Sequence, residues 1–123
     1  MSTWTSHDAR AVAAPEEVRV VTRRADGTLR RPRIIWVVAD GDRVFVRSTN
    51  GRTAAWFRGA LATGTGQVLA GGTTYEVGFS EAAEDDLPLV DAAYRRKYAR
   101  YPSIVDHLVG AGPREATLEL TPS

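Results

Sequence analysis

Between Val46 and Leu61 the chain reads VRSTNGRTAAWFRGAL, a run that sets Arg47, Arg52 and Arg58 around Ser48, Thr49, Asn50, Gly51 and Trp56. It offers hydroxyls, amides and guanidinium groups and no carboxylate, so its natural chemistry is to hold an oxyanion, a phosphate or a carboxylate. The alternative is a solvated turn. Strand-end arginines commonly face water, and Gly51 can serve a left-handed turn alone.

Proton transfer has fewer candidates. A phenol can donate a proton to a reduced substrate, and among Tyr75, Tyr94, Tyr98 and Tyr101 the candidate catalytic residue is Tyr98. Tyr94, Tyr98 and Tyr101 also continue a stripe begun by Leu87 and Val90, which points to a core or subunit contact. His7 and His107, the two histidines, lie far apart without ligand-like spacing, so no metal is expected. Ser6, Ser48 and Ser103 lack a Gly-x-Ser-x-Gly turn, and with no cysteine, thiolate chemistry and disulfides are excluded.

The elements that must position these residues follow from periodicity. Thr5 or Ser6 can cap a short helix ending near Pro15. Alternation from Val18 to Arg23 reads as a strand. The turn signals Asp26-Gly27 and Asp40-Gly41 separate it from RPRIIWVVAD, Arg31 to Asp40, and from RVFVRS, Arg43 to Ser48. In this third strand Val44 and Val46 face one way, and Arg43, Phe45 and Arg47 the other. Arg52 to Leu61 has helical spacing, with Ala55, Trp56 and Leu61 inward, Asn50 or Thr53 as cap, and Gly64 and Gly66 ending it. QVLAGGTTYEVGFS supplies two strands about Gly71-Gly72. Glu84-Asp85-Asp86 opens a helix that Pro102 ends or kinks, SIVDHLVGAG follows, and EATLELT is a last strand. The run Arg95-Arg96-Lys97 reads as the solvated face of that helix.

These elements make an antiparallel sheet that curls and closes, in a mainly β fold with peripheral helices. At 123 residues the chain is expected to be a single domain, 1–123. Sixteen Lys and Arg against fifteen Asp and Glu give no bulk reason to expect nucleic acid or an anionic membrane as partner. The opening residues lack a basic start followed by an apolar run, so a cytoplasmic protein is expected.

The segment Asp26 to Leu61, DGTLRRPRIIWVVADGDRVFVRSTNGRTAAWFRGAL, continued through GTGQVLAGGTTYEVGFS, resembles the split β-barrel of flavin- and deazaflavin-binding oxidoreductases. That group includes the pyridoxamine-phosphate-oxidase-like proteins and the deazaflavin-dependent nitroreductases. Within it the chain is most similar to an uncharacterised family numbered 2255 among domains of unknown function. The resemblance implies a six-stranded antiparallel split β-barrel and an oxidoreductase passing a hydride to or from a small organic substrate. The cofactor it implies is flavin mononucleotide (FMN) or the deazaflavin coenzyme, and barrels of this type are often homodimers. Arg47, Ser48, Thr49 and Arg52 would bind the cofactor phosphate, and Arg33, Ile35 and Trp36 would border the ring. The chain departs from the group in carrying Arg52 where lysine is frequent, and in lacking Asn-Pro within TGTGQVL. The alternative is a barrel that has lost the flavin and uses the vacated cleft as a small-molecule binding module or cofactor-free enzyme.

Overall fold

The second predicted strand decides the architecture, because it breaks. The computed structural model describes residues 3–123. After helix α1 (Ser6–Ala13) come strands β1 (Val18–Thr22), β2 (Arg33–Ile35), β3 (Val37–Asp40) and β4 (Arg43–Arg47). A 3-10 turn, Gly51–Thr53, leads to α2 (Ala55–Thr63), then β5 (Thr65–Ala70) and β6 (Thr73–Glu81). A second 3-10 turn, Glu84–Asp86, opens α3 (Leu87–Lys97), and α4 (Pro102–Leu108), α5 (Ala111–Arg114) and β7 (Thr117–Pro122) complete the chain.

Of the one predicted strand, β2 pairs with β1 (Val18 opposite Ile35), whereas β3 pairs with β4 (Val37 opposite Val46). The chain changes partner at Trp36. The resulting order, β2-β1-β5-β6-β7-β4-β3, starts and finishes on the two halves of one segment, and every pairing is antiparallel. The sheet is thus rolled into a nearly closed barrel, whose six sequence-level strands become seven ladder segments.

Alternation along β4 divides two cores as expected. Val44 and Val46 enter the barrel with Val18, Val20, Phe57, Val68 and Leu118. Phe45 goes out, beneath Val90, Tyr94 and Tyr98 of the α3 segment and Val105 and Leu108 of α4. β1 and β5 approach closely, and only glycine fits at Gly66: a Cβ there would stand 2.1 Å from the Val21 carbonyl oxygen.

The helices correct several sequence expectations. Thr5 caps α1 by accepting from the Asp8 amide, as expected. For α2 neither Asn50 nor Thr53 caps, and Ala54 holds the N-cap position with no side-chain bond. The first turn of the expected helix is 3-10, so the helical phase starts later. Phe57, Gly59 and Ala60 face inward, while Ala55 and Leu61 are exposed. Gly64 ends α2 at φ +71°, but Gly66 belongs to β5. Pro102 starts α4 instead of merely stopping α3. No helix among the described residues is long and apolar enough to cross a membrane.

Candidate functional site

Arg47 is the last residue of β4 on its outward face, where α3 and α4 cover it. Its side chain is wholly buried. Nε donates to Thr117 Oγ1 at 2.8 Å, Nη1 to Asp91 Oδ1 at 2.5 Å and to the Leu108 carbonyl at 3.0 Å, and Nη2 to the Leu87 carbonyl at 3.3 Å. Four of its five N–H groups are therefore held by the fold. Asp91 also accepts from Arg114 Nε at 3.0 Å. The guanidinium predicted to grip a phosphate instead ties β4 to β7 and to the helices, and its charge is matched inside the protein.

The rest of the turn is mixed. The Ser48 hydroxyl is buried and finds no partner among the described residues, whereas Thr49 is exposed. Gly51 takes φ +72°, packed against the Gly112 backbone, the left-handed turn that its type allows. Arg52 lies at the surface, bonded to Glu81 and to the Glu115 carbonyl at 2.9 Å. The Glu81 contact raises the Arg52 pKa and lowers that of Glu81. His107 Nε2 lies 2.7 Å from the Thr49 carbonyl, so its N–H donates there.

Tyr98 is spent on the strand break. Its hydroxyl accepts from the Val37 amide at 3.1 Å and lies 2.7 Å from the Glu16 carbonyl, to which it can donate. Burial pushes its pKa well up. The ring stacks on Trp36 with centroids 3.8 Å apart and planes 8° from parallel. Beside it Lys97 donates to the carbonyls of Ala13, Pro15 and Val37 at 2.6–2.7 Å. Lys97 is thus no member of a solvated run, and desolvation lowers its pKa to about 8.

Between β2 and the end of β4 the barrel stays open. A cleft of about 190 Å³ there is lined by Glu17, Ile34, Ile35, Trp36, Arg47, Thr49, Ile104 and Leu108. Ile34 and Ile104 are 59% and 46% exposed, unusually open for large apolar side chains. The structure therefore brings together Ile35, Trp36, Arg47 and Thr49 of the sequence-predicted set, with the Arg47 guanidinium held by the fold. Ser48 adjoins them with its hydroxyl buried, and Arg33 is exposed and lines a different cavity. Sequence reasoning missed Ile104 and Leu108, which arrive on α4, and it missed Asp91. The signal for Asp91 was available: it lies four residues after Leu87, on the inward stripe of α3.

With the geometry in view, the chain can be set beside known proteins. Residues 8–120 match the model of DUF2255, described as an uncharacterized protein conserved in bacteria. The chain belongs to this family. No curated protein matches it in sequence. Among solved structures this DUF2255 member resembles a protein of unknown function from Agrobacterium tumefaciens, at 14% identity and TM-score 0.69. That match covers 94% of this chain but only 52% of the other, so the chain spans about half of that relative. It also resembles the heme storage protein HutZ from Vibrio cholerae, at 13% identity and TM-score 0.65, covering 98% and 91% of the two chains. A putative pyridoxamine 5'-phosphate oxidase from Listeria innocua matches at 10% identity and TM-score 0.57, covering 95% and 90%. Likenesses at such identities establish the fold, the split barrel of the pyridoxamine-phosphate-oxidase type.

Proposed function

We propose that this chain binds a planar flavin-type cofactor, FMN or its deazaflavin analogue, in the cleft at the strand break, and serves an oxidoreductase acting on a small organic molecule. The observation that carries the reading is the open edge of β2 beside an apolar wall. β2 ends the sheet on one side, so its outer edge has no ladder partner among the described residues. Unpaired backbone donors and acceptors of that kind suit the polar rim of a heterocycle, and Ile34, Trp36 and Ile104 supply apolar contact.

In this reading Thr49 and Arg52 would take the cofactor phosphate, Arg52 by turning from Glu81. Arg47 stays with Asp91 and orients the turn, and Ser48 contributes through its backbone. A bound flavin-type group brings its own hydride chemistry, while the chain binds it, orients it and excludes water. Tyr98 is a positioning residue in this reading, because its ring backs Trp36 and its hydroxyl fixes the break.

At about 190 Å³ the cleft of one chain is smaller than the roughly 300 Å³ at which ordinary ligand pockets begin. A second copy closing over Ile34 and Ile104 would enlarge it, so the reading includes a homodimer. The same small volume favours a second reading, a binding module for a small molecule without a flavin. Fluorescence titration with FMN and with the deazaflavin coenzyme separates the two. Micromolar binding that Ile34→Glu and Ile104→Glu abolish supports the first, and no binding of either cofactor leaves the second.

A further inference from the structure

Alternation along β2 sends Arg33 and Ile34 to opposite faces, and Arg33 leads to a second cavity. Its volume is about 230 Å³, and Arg24, Arg30, Arg31, Arg33, Ala55 and Trp56 line it. Among the described residues none of the four arginines forms a salt bridge with a carboxylate. Arg24 is held in place by the Leu29 carbonyl, to which it donates at 3.0 Å. Arg30 lies across α2 at Gly59, where a Cβ would come 3.2 Å from its Nε. All four are exposed, so water and salt screen their mutual repulsion, and an anion among them would relieve what remains.

An independent feature points the same way. Ala55 and Trp56 are the first two residues of α2, a helix of nine residues that begins with no side-chain cap and no acidic residue in its first turn. Such an N-terminus presents free N–H groups and the positive end of the helix dipole. Cations from the β1–β2 loop and a bare helix start thus converge on one space, from elements far apart in sequence.

We propose that this cavity binds a multiply charged oxyanion, a diphosphate or an oligocarboxylate group. Guanidinium forks pair with such groups through two parallel bonds, which a single halide cannot accept. The site excludes Ser48, Thr49 and Arg52, and it stands whether or not the cleft takes a flavin-type ring.

Calorimetric titration of the full chain with inorganic diphosphate, tricarballylate and acetate tests it. Diphosphate or tricarballylate should bind at least about tenfold more tightly than acetate, and Arg31→Gln and Arg33→Gln should each weaken that binding about tenfold or more. Both arginines are exposed, so the variants keep the fold, and circular dichroism checks that they do. Arg58→Gln, an exposed change on α2 outside the cavity, should leave the affinity unaltered. Preference for diphosphate assigns the site to phosphoryl groups, and equal or tighter binding of tricarballylate assigns it to carboxylate tails. Acetate binding as tightly as both, or Arg58→Gln costing as much as Arg31→Gln, would overturn the proposal. Ile104→Glu should spare diphosphate binding. A chain that binds diphosphate but no flavin fails only the cleft reading, and the reverse result fails only this one.

Discussion

Arg47→Met separates a structural arginine from a ligand-binding one. The substitution keeps an unbranched apolar stem and removes the charge and four hydrogen bonds, which leaves Asp91 with Arg114 alone and the carbonyls of Leu87 and Leu108 without this donor. Removing one partner of a buried ion pair costs about 3–5 kcal/mol. In a chain of this length each kcal/mol lowers the melting temperature by about 4 °C, so a fall of about 12–20 °C is expected. Thermal melts followed by circular dichroism measure it, with FMN and diphosphate titrations run well below the melt on the same variant. The expected result is a much less stable protein that, while folded, still binds its anion. A melt within about one kcal/mol's worth of the parent, about 4 °C, together with loss of binding would refute the reasoning and return Arg47 to the phosphate.

Tyr98→Phe strips the Val37 amide of its partner, at about 1–3 kcal/mol for an unsatisfied buried group. Hydrogen exchange at Val37 should quicken, and unchanged exchange would argue against a positioning role. Gly66→Ala forces a Cβ against the Val21 carbonyl and Phe79, so stability should fall by about 2–3 kcal/mol or more, and a variant that melts like the parent would contradict the close β1–β5 approach. Arg43 bonds to Asp86 and Glu119 and lowers the Asp86 pKa below its ordinary 3.8. A carboxylate with a depressed folded-state pKa stabilises above its unfolded value, and that contribution is lost as pH falls through the folded value. Arg43→Gln should therefore be less stable than the parent at neutral pH, with the gap narrowing below 3.8; urea unfolding across that range checks the trend.

Short-range pattern carried most of the fold. The alternation Val44, Phe45, Val46 told which residues enter the barrel, and the turns at Gly27 and Gly41 take the positive φ that their Asp-Gly sequences announced. The break at Trp36 was invisible, since Ile34, Ile35, Val37 and Val38 read as one strand and only the change of partner divides them. The site was legible in part for the same reason. An arginine ending a strand looks alike under water and under a helix, and the carboxylate that claims Arg47 lies 44 residues further on. The phase of α2 slipped because Ala55 and Leu61 are apolar yet exposed, while the small Gly59 and Ala60 mark the side that packs.

The break at Trp36 is what creates an open edge, and an open edge is normally a liability because unpaired backbone groups recruit other strands or unravel. Here the residue after the break is secured from outside the sheet. The Val37 amide donates to Tyr98, and its carbonyl accepts from Lys97, two adjacent residues at the end of α3. The same two side chains reach the carbonyls of Ala13, Pro15 and Glu16, in the segment that leads into β1. The end of α3 thus holds both sides of the gap, so β2 can leave β4 without the barrel loosening. The polar groups best suited to chemistry near the cleft, the Tyr98 phenol and the Lys97 amine, are consumed in keeping it open. What the described residues leave at the cleft itself is an exposed backbone edge, apolar walls, Glu17, the internally paired Arg47 and the Thr49 turn, and these are the groups that the proposed flavin-type cofactor would meet.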